Sequence, residues 1–327
     1  MTHLKPVFLF SLPRSGSTFA QRVLAAHPAV ATATEPHFLL PLVQSLNPWG
    51  SYSEYEHQLS AWAIREFCRD SLPGQQGDYL SEIRNFTLNL YDKTRHNGET
   101  HFLDKTPRYH LIANEIFDLF PDGKFVFLWR NPLAIVASMI GTFYDGRWKT
   151  YLFDFDLYSG YPNLIDAYMA HPEASYSLRY EDSVLDPEAT WQDVFDYLGL
   201  PFDPALLQKF NKVKLAGKVR DPNADLPQYQ KINKKPLEKW KPLLANPLRK
   251  SWARDYLHWL GAERLAAIGY NLDELLDELA EVPTNFDHFA DDLWRMPYGR
   301  FSRVFESHML RDKWRAWRKG EHMYMHK

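Results

Sequence analysis

The chain has 327 residues, 45% apolar and 24% charged, which excludes a disordered or fibrous protein and suits about two domains or one large α/β domain. Its 38 Lys and Arg against 41 Asp and Glu leave a net charge of −3, so no global basic field draws it to nucleic acid, and any anion site has to be a local cation cluster. The one cysteine, Cys68, excludes an internal disulfide and a Cys-cluster metal site and suits a reducing, cytoplasmic compartment. No run approaches the roughly 18 apolar residues of a membrane span.

Val7–Leu12 is an apolar run ended by Pro13, as expected of a strand buried on both faces. Thr18–Ala26 has helical spacing and stops at His27-Pro28. Ala29–Thr34 reads as a second strand, and residues 37–100 as an insertion of several helices. Thr100–Lys105 reads as a third strand, followed by a helix from Pro107 to about Phe120. Lys124–Trp129 is the clearest strand, and Leu133–Thr142 the helix after it. Residues 144–163, rich in Tyr, Asp and Gly, suggest a loop or lid insertion. Ala174–Tyr180 is a further strand and Pro187–Leu198 a helix closed by Gly199. Strands alternating with helices imply a parallel sheet flanked by helices over residues 1–205. Residues 206–327 show only helix and loop signals and are expected to belong to the same domain. The tail Phe301–Lys327 carries an imperfect apolar stripe of Phe301, Phe305, Met309 and Trp317 among Arg and Lys. Packing on the parent domain or on a second subunit is the expected use of that stripe, with binding to a membrane surface the lesser alternative.

Two strand-to-helix turns could bind anions. Pro13-Arg14-Ser15-Gly16-Ser17-Thr18 offers backbone N–H groups, a helix N-terminus, the Arg14 fork and hydroxyls from Ser15, Ser17 and Thr18. It lacks the Lys of a Walker A loop. Arg130-Asn131-Pro132 stands at the carboxyl end of its strand, with Ser138 eight residues on. Two such turns suggest a ligand with phosphates at two separated positions. Lys218, Arg220 and Lys231 form a third basic cluster in a polar segment.

Together these motifs resemble the sulfotransferase superfamily. Pro13–Thr18 looks like its 5′-phosphosulfate loop, and Lys124–Ser138 like its 3′-phosphate segment. Arg179-Tyr180-Glu181-Asp182, followed by Asp186-Pro187-Glu188 and Leu198-Gly199-Leu200-Pro201, resembles the next family block. The resemblance implies a P-loop-like fold and 3′-phosphoadenosine 5′-phosphosulfate (PAPS) as sulfuryl donor, with no metal. It implies Arg14, Ser15, Gly16, Ser17 and Thr18 on the 5′ side, Arg130 and Ser138 on the 3′-phosphate, and Tyr180 near the nucleoside. Gly217–Lys231 loosely resembles the family's C-terminal phosphate-binding loop.

The aryl and steroid branch carries Lys in the first loop and a catalytic His in a Lys-Thr-His segment. Here those positions read Arg14 and Lys105-Thr106-Pro107, which looks like the tyrosylprotein and bacterial branch with a glutamate base. Glu35, 21 residues past Arg14, agrees with that branch. The later catalytic Ser of that branch has no counterpart in Ala216–Asp221. Sulfuryl transfer needs in-line geometry, a base for the acceptor proton and cations for the leaving oxygen. Glu35 is the candidate base, Arg14 and Lys105 the candidate cations, and His37 and His110 rival bases. Aromatic residues at 38, 52, 55, 143, 144, 148 and 151 are candidates to line the pocket of a small-molecule or carbohydrate acceptor. Homo-oligomerisation stays open. A P-loop kinase or NTPase and a non-catalytic nucleotide-binding protein are the alternatives.

Overall fold

A computed structural model describes residues 3–49, 51, 53, 55–215, 231–305 and 307–320. Five strands form one parallel sheet: β1 (Lys5–Phe10), β2 (Val30–Thr32), β3 (His101–Asp104), β4 (Lys124–Trp129) and β5 (Ser175–Arg179). Their spatial order is β2-β3-β1-β4-β5. The register aligns Phe8 with Asp104 on one side and Phe125 on the other, Thr32 with Leu103, and Trp129 with Arg179.

Alternating side chains along each strand feed two separate cores, because successive residues point to opposite faces. Phe8, Phe10, Phe102, Phe125, Phe127 and Trp129 enter one core. Val7, Leu9, Leu103, Val126, Leu128 and Leu178 enter the other. One face of the sheet is therefore largely aromatic and the other aliphatic. The helix Ser17–Ala25 and the helix Pro187–Leu198 cover the aliphatic face. The helices Pro132–Tyr144, Tyr161–Ala170 and Pro247–Leu260 share the aromatic core, which extends along the chain to Val282.

Local signals explain most element ends. Asn131 caps the helix Pro132–Tyr144 by accepting hydrogen bonds from the N–H groups of Leu133 and Ala134, with Pro132 at its first position. Gly199, at φ 71°, takes the left-handed conformation that closes Pro187–Leu198. Among the described residues, 37–100 hold three helices, Leu39–Gln44, His57–Ser71 and Gln76–Asp92.

Three segments differ from the sequence expectation. The helix expected from Pro107 to Phe120 breaks at Ile112 into a 3-10 turn, Pro107–Leu111, and a helix, Ala113–Leu119. The break lets both Tyr109 and Ile112 enter the core. Residues 144–163 are not an open lid. They form a 3-10 turn at Thr150–Leu152 and a π turn at Asp156–Gly160 that runs into Tyr161–Ala170. Trp148, Thr150, Asp156 and Leu157 are buried there. The polar composition misled because Asp156 is buried, ion-paired with Arg108 and in hydrogen-bond contact with His110, at 2.9 Å each. Finally, Phe301, Phe305 and Trp317 of the C-terminal helices, Phe289–Phe305 and Ser307–Arg318, are exposed and do not pack on the body.

Candidate active site

Each strand delivers one candidate residue or turn at its carboxyl end, where open parallel sheets bind ligands. In spatial order these are Glu35 after β2, Lys105 after β3, the Pro13–Thr18 turn after β1, Arg130 after β4 and Tyr180 after β5.

The first turn departs from an ordinary capped helix start. Arg14 and Gly16 both take positive φ, 72° and 96°. Gly16 is the N-cap of Ser17–Ala25, so no side chain satisfies the first N–H groups of that helix. Tyr180 lies flush against this turn: a Cβ on Gly16 would come within 2.5 Å of its ring. Ser15, Ser17 and Thr18 are buried.

The second turn is bound to the first. Arg130 Nη1 donates to the Arg14 carbonyl at 2.8 Å and Nη2 to the Pro236 carbonyl at 3.0 Å. Its guanidinium sits 4.6 Å from the centre of the Tyr180 ring. The Arg14 side chain turns towards Pro132–Tyr144, where Nε donates to Ser138 Oγ at 3.3 Å and Nη2 to Thr142 Oγ1 at 3.2 Å. Arg14 thus reaches the segment assigned to the 3′-phosphate and not only the 5′ side. Thr142 had a legible signal: it stands four residues after Ser138, on the same helix face. Beyond Tyr180, Glu181 accepts from Asn131 N at 2.9 Å and from the Tyr270 hydroxyl at 2.6 Å, which ties the β4 and β5 turns together.

Between the turns lies a cavity of about 390 Å³ lined by Arg14, Arg130, Lys231 and Lys239, with Ser138, Thr142 and Tyr180. Among the described residues no Asp or Glu lines it. Arg130 Nε and Ser15 Oγ are buried without a hydrogen-bond partner, so donor capacity is left over at both turns. Four cations, spare donors and a phosphate-type helix start fit a polyanionic nucleotide. Lys218 and Arg220 lie outside the described residues; Lys231 is on the cavity wall.

Glu35 and Lys105 form one ion pair. Lys105 Nζ donates to Glu35 Oε1 at 2.6 Å, with the Lys105 side chain 1% and the Glu35 side chain 14% exposed. His37, held at a positive φ of 59°, places Nε2 3.3 Å from Glu35 Oε2. Burial pushes the Glu35 carboxyl up, but the hydrogen bond with His37 and the charge and hydrogen bond of Lys105 outweigh it and hold the group below its ordinary value. Beneath the pair, Asp104 accepts hydrogen bonds from the Tyr91, Tyr109 and Thr106 hydroxyls, and burial raises its carboxyl to about 6. His110 is buried, with Nε2 2.9 Å from Asp156 Oδ1, and makes no hydrogen bond or ion pair with Glu35. The candidate acceptor aromatics do not gather in one pocket. Phe38 packs on Phe86 and Tyr91, Phe143 lies under Arg14, Trp148 meets Trp252, and Tyr151 meets Tyr298. Tyr52 lies outside the described residues.

A model of the family described as "Sulfotransferase family" matches residues 6–204. The chain belongs to the sulfotransferase family. An uncharacterized protein of Aquifex aeolicus is 26% identical over 245 residues, 72% of this chain and 30% of that protein. Nodulation protein NoeE of Sinorhizobium fredii is 31% identical over 136 residues, 41% of this chain and 31% of its own. Protein-tyrosine sulfotransferase 1 of Danio rerio is 24% identical over 280 residues, 81% of this chain and 72% of its own. The chain spans less than a third of the first two relatives. Among solved structures, the sulfotransferase domain from the curacin biosynthetic pathway matches with a TM-score of 0.52 at 24% identity, covering 79% of this chain and 98% of that one. This sulfotransferase therefore shares that domain's fold.

Proposed function

We propose that this sulfotransferase moves a sulfuryl group from PAPS to a hydroxyl or amine of a small-molecule or carbohydrate acceptor, by in-line transfer and without a metal. The observation that carries the reading is the cation-lined cavity, free of carboxylates among the described residues, between two strand-to-helix turns joined by Arg130. Arg130, Ser138 and Lys231 would hold the 3′-phosphate side of the donor, and Arg14 through Thr18 its 5′ side. Tyr180 would face the nucleoside.

Glu35, ionised at neutral pH, accepts the acceptor's proton through the carboxylate edge that His37 borders. Lys105 and Arg14 offset charge that builds on the bridging oxygen of the leaving nucleotide. Breaking the S–O bond to that oxygen and forming the bond to the acceptor oxygen or nitrogen are coupled to this one proton loss.

A tyrosyl side chain is the second acceptor reading, favoured by the relative named protein-tyrosine sulfotransferase 1. Calorimetry tests the donor site. Adenosine 3′,5′-bisphosphate should bind about 10–100-fold more tightly than AMP, the worth of one charge-assisted contact set. Equal affinities would overturn the donor assignment. Turnover of PAPS with phenolic, sugar and tyrosyl-peptide acceptors separates the acceptor classes.

A further inference from the structure

The helix Phe289–Phe305 rests on the body through one face only. Asp292 and Ser302 are buried, and Gly299 lies against the Tyr151 ring. Its outward face carries Trp294, Phe301 and Phe305, at spacings of seven and four that stack them in one stripe, with Tyr298 beside them against the Tyr151 ring. The helix Ser307–Arg318 repeats the pattern with Leu310, Trp314 and Trp317. These side chains are exposed: Trp294 by 79%, Trp317 by 67% and Leu310 by 66%. An outward helix face of a monomeric soluble protein is ordinarily polar, so an aromatic stripe of this length marks a binding face.

Charge identifies the partner. Residues 289–320, the two helices and the turn after them, hold eight Lys and Arg against four Asp and Glu, a net charge of +4, whereas the rest of the chain is net −7. Arg311, Arg315 and Arg318 follow Leu310, Trp314 and Trp317 directly, so an exposed basic row flanks the apolar one. The Arg318 guanidinium lies over the Trp314 ring at 4.8 Å. Pairing two copies of this face would set +4 against +4. A nucleic acid would satisfy the cations but leave Leu293 and Leu310 without apolar cover. An anionic bilayer meets both demands: its headgroups take the basic row, and its interfacial layer takes Trp, Tyr and Leu.

We infer that the two C-terminal helices dock this protein on an anionic lipid surface, lying flat in the interface with the acidic body turned away. The experiment uses the full chain with vesicles of phosphatidylcholine alone or mixed with phosphatidylglycerol, read by co-sedimentation and tryptophan emission. Binding to the mixed vesicles should be at least about tenfold tighter than to the neutral ones, with a blue shift, and should weaken as salt rises. The triple variant Lys313→Glu, Arg318→Glu, Lys319→Glu should lose that preference. The variant Trp294→Ser, Phe301→Ser, Trp317→Ser should lose the blue shift. All three side chains changed in each variant are exposed, so the thermal midpoint should hold, and the salt dependence of the unaltered chain tests the idea without any variant. Equal binding to both vesicles, or binding to neither, overturns the proposal. So does sedimentation velocity showing a dimer that the serine variant dissociates, or RNA competing the protein off the vesicles.

Discussion

At the residue scale, the site turns on how Glu35 is held. Lys105 and His37 each take one carboxylate oxygen, so both neighbours favour the ionised form. The carboxyl consequently titrates below its ordinary value, and the acid limb of kcat/KM should lie below the usual glutamate range of about 4.3. Glu35→Gln should lower kcat by about 10²–10⁴-fold, the span for losing a general base, while adenosine 3′,5′-bisphosphate affinity stays unchanged. His37→Asn removes one of the two groups that lower the carboxyl's pKa. The acid limb should therefore move to higher pH with only a modest loss of rate at neutral pH. Normal turnover in Glu35→Gln would remove Glu35 from the mechanism. An unmoved limb in His37→Asn would uncouple His37 from it. The pairing itself was not legible from spacing. Glu35 and Lys105 are 70 positions apart, and only the adjacency of β2 and β3 brings them together.

At the element scale, the first turn depends on a missing side chain. A methyl group at residue 16 would meet the Tyr180 ring and would sit on backbone at φ 96°, so Gly16→Ala is strained twice. It should destabilise the protein by about 1–3 kcal/mol and weaken nucleotide binding at the same time. Thermal melting and calorimetry on the same sample check both effects. Tyr180→Ala should cost less stability in the Gly16→Ala background than in the unaltered chain, because there it also removes the clash, and binding should not recover. Elements whose residues answer to local rules were readable in sequence, as with Lys124–Trp129 and the helix closed by Gly199. Those whose residues answer to distant partners were not. Asp156 looked like loop material until Arg108 supplied its ion pair and His110 a hydrogen-bond contact. The His110 ring then explains the close packing of Gly160.

At the scale of the whole molecule, the C-terminal part is fastened by one buried ion pair. Arg249 donates to both Asp292 carboxylate oxygens, at 2.6 and 3.0 Å, and to the Gly146 carbonyl at 2.7 Å. Asn246 Nδ2 adds a third bond to Asp292, at 2.7 Å. Arg249→Ala would strand a buried carboxylate and should cost about 3–5 kcal/mol, read as a lower thermal midpoint. Asp292→Asn in that background should recover part of the loss, because it removes the stranded charge. No helix among the described residues is long and apolar enough to cross a membrane. The two-faced sheet has a further consequence. Deleting one residue inside β1 would rotate every later side chain of that strand to the opposite face. Phe8 and Phe10 would be forced among aliphatic neighbours, and Val7 and Leu9 would leave gaps among the rings. Size mismatch between the two layers thus works as a lock on strand register, and with the register it fixes where each strand ends and the site segments begin. Change in such a site is confined to the segments beyond the strand tips, where chain can be added or removed without turning the lock.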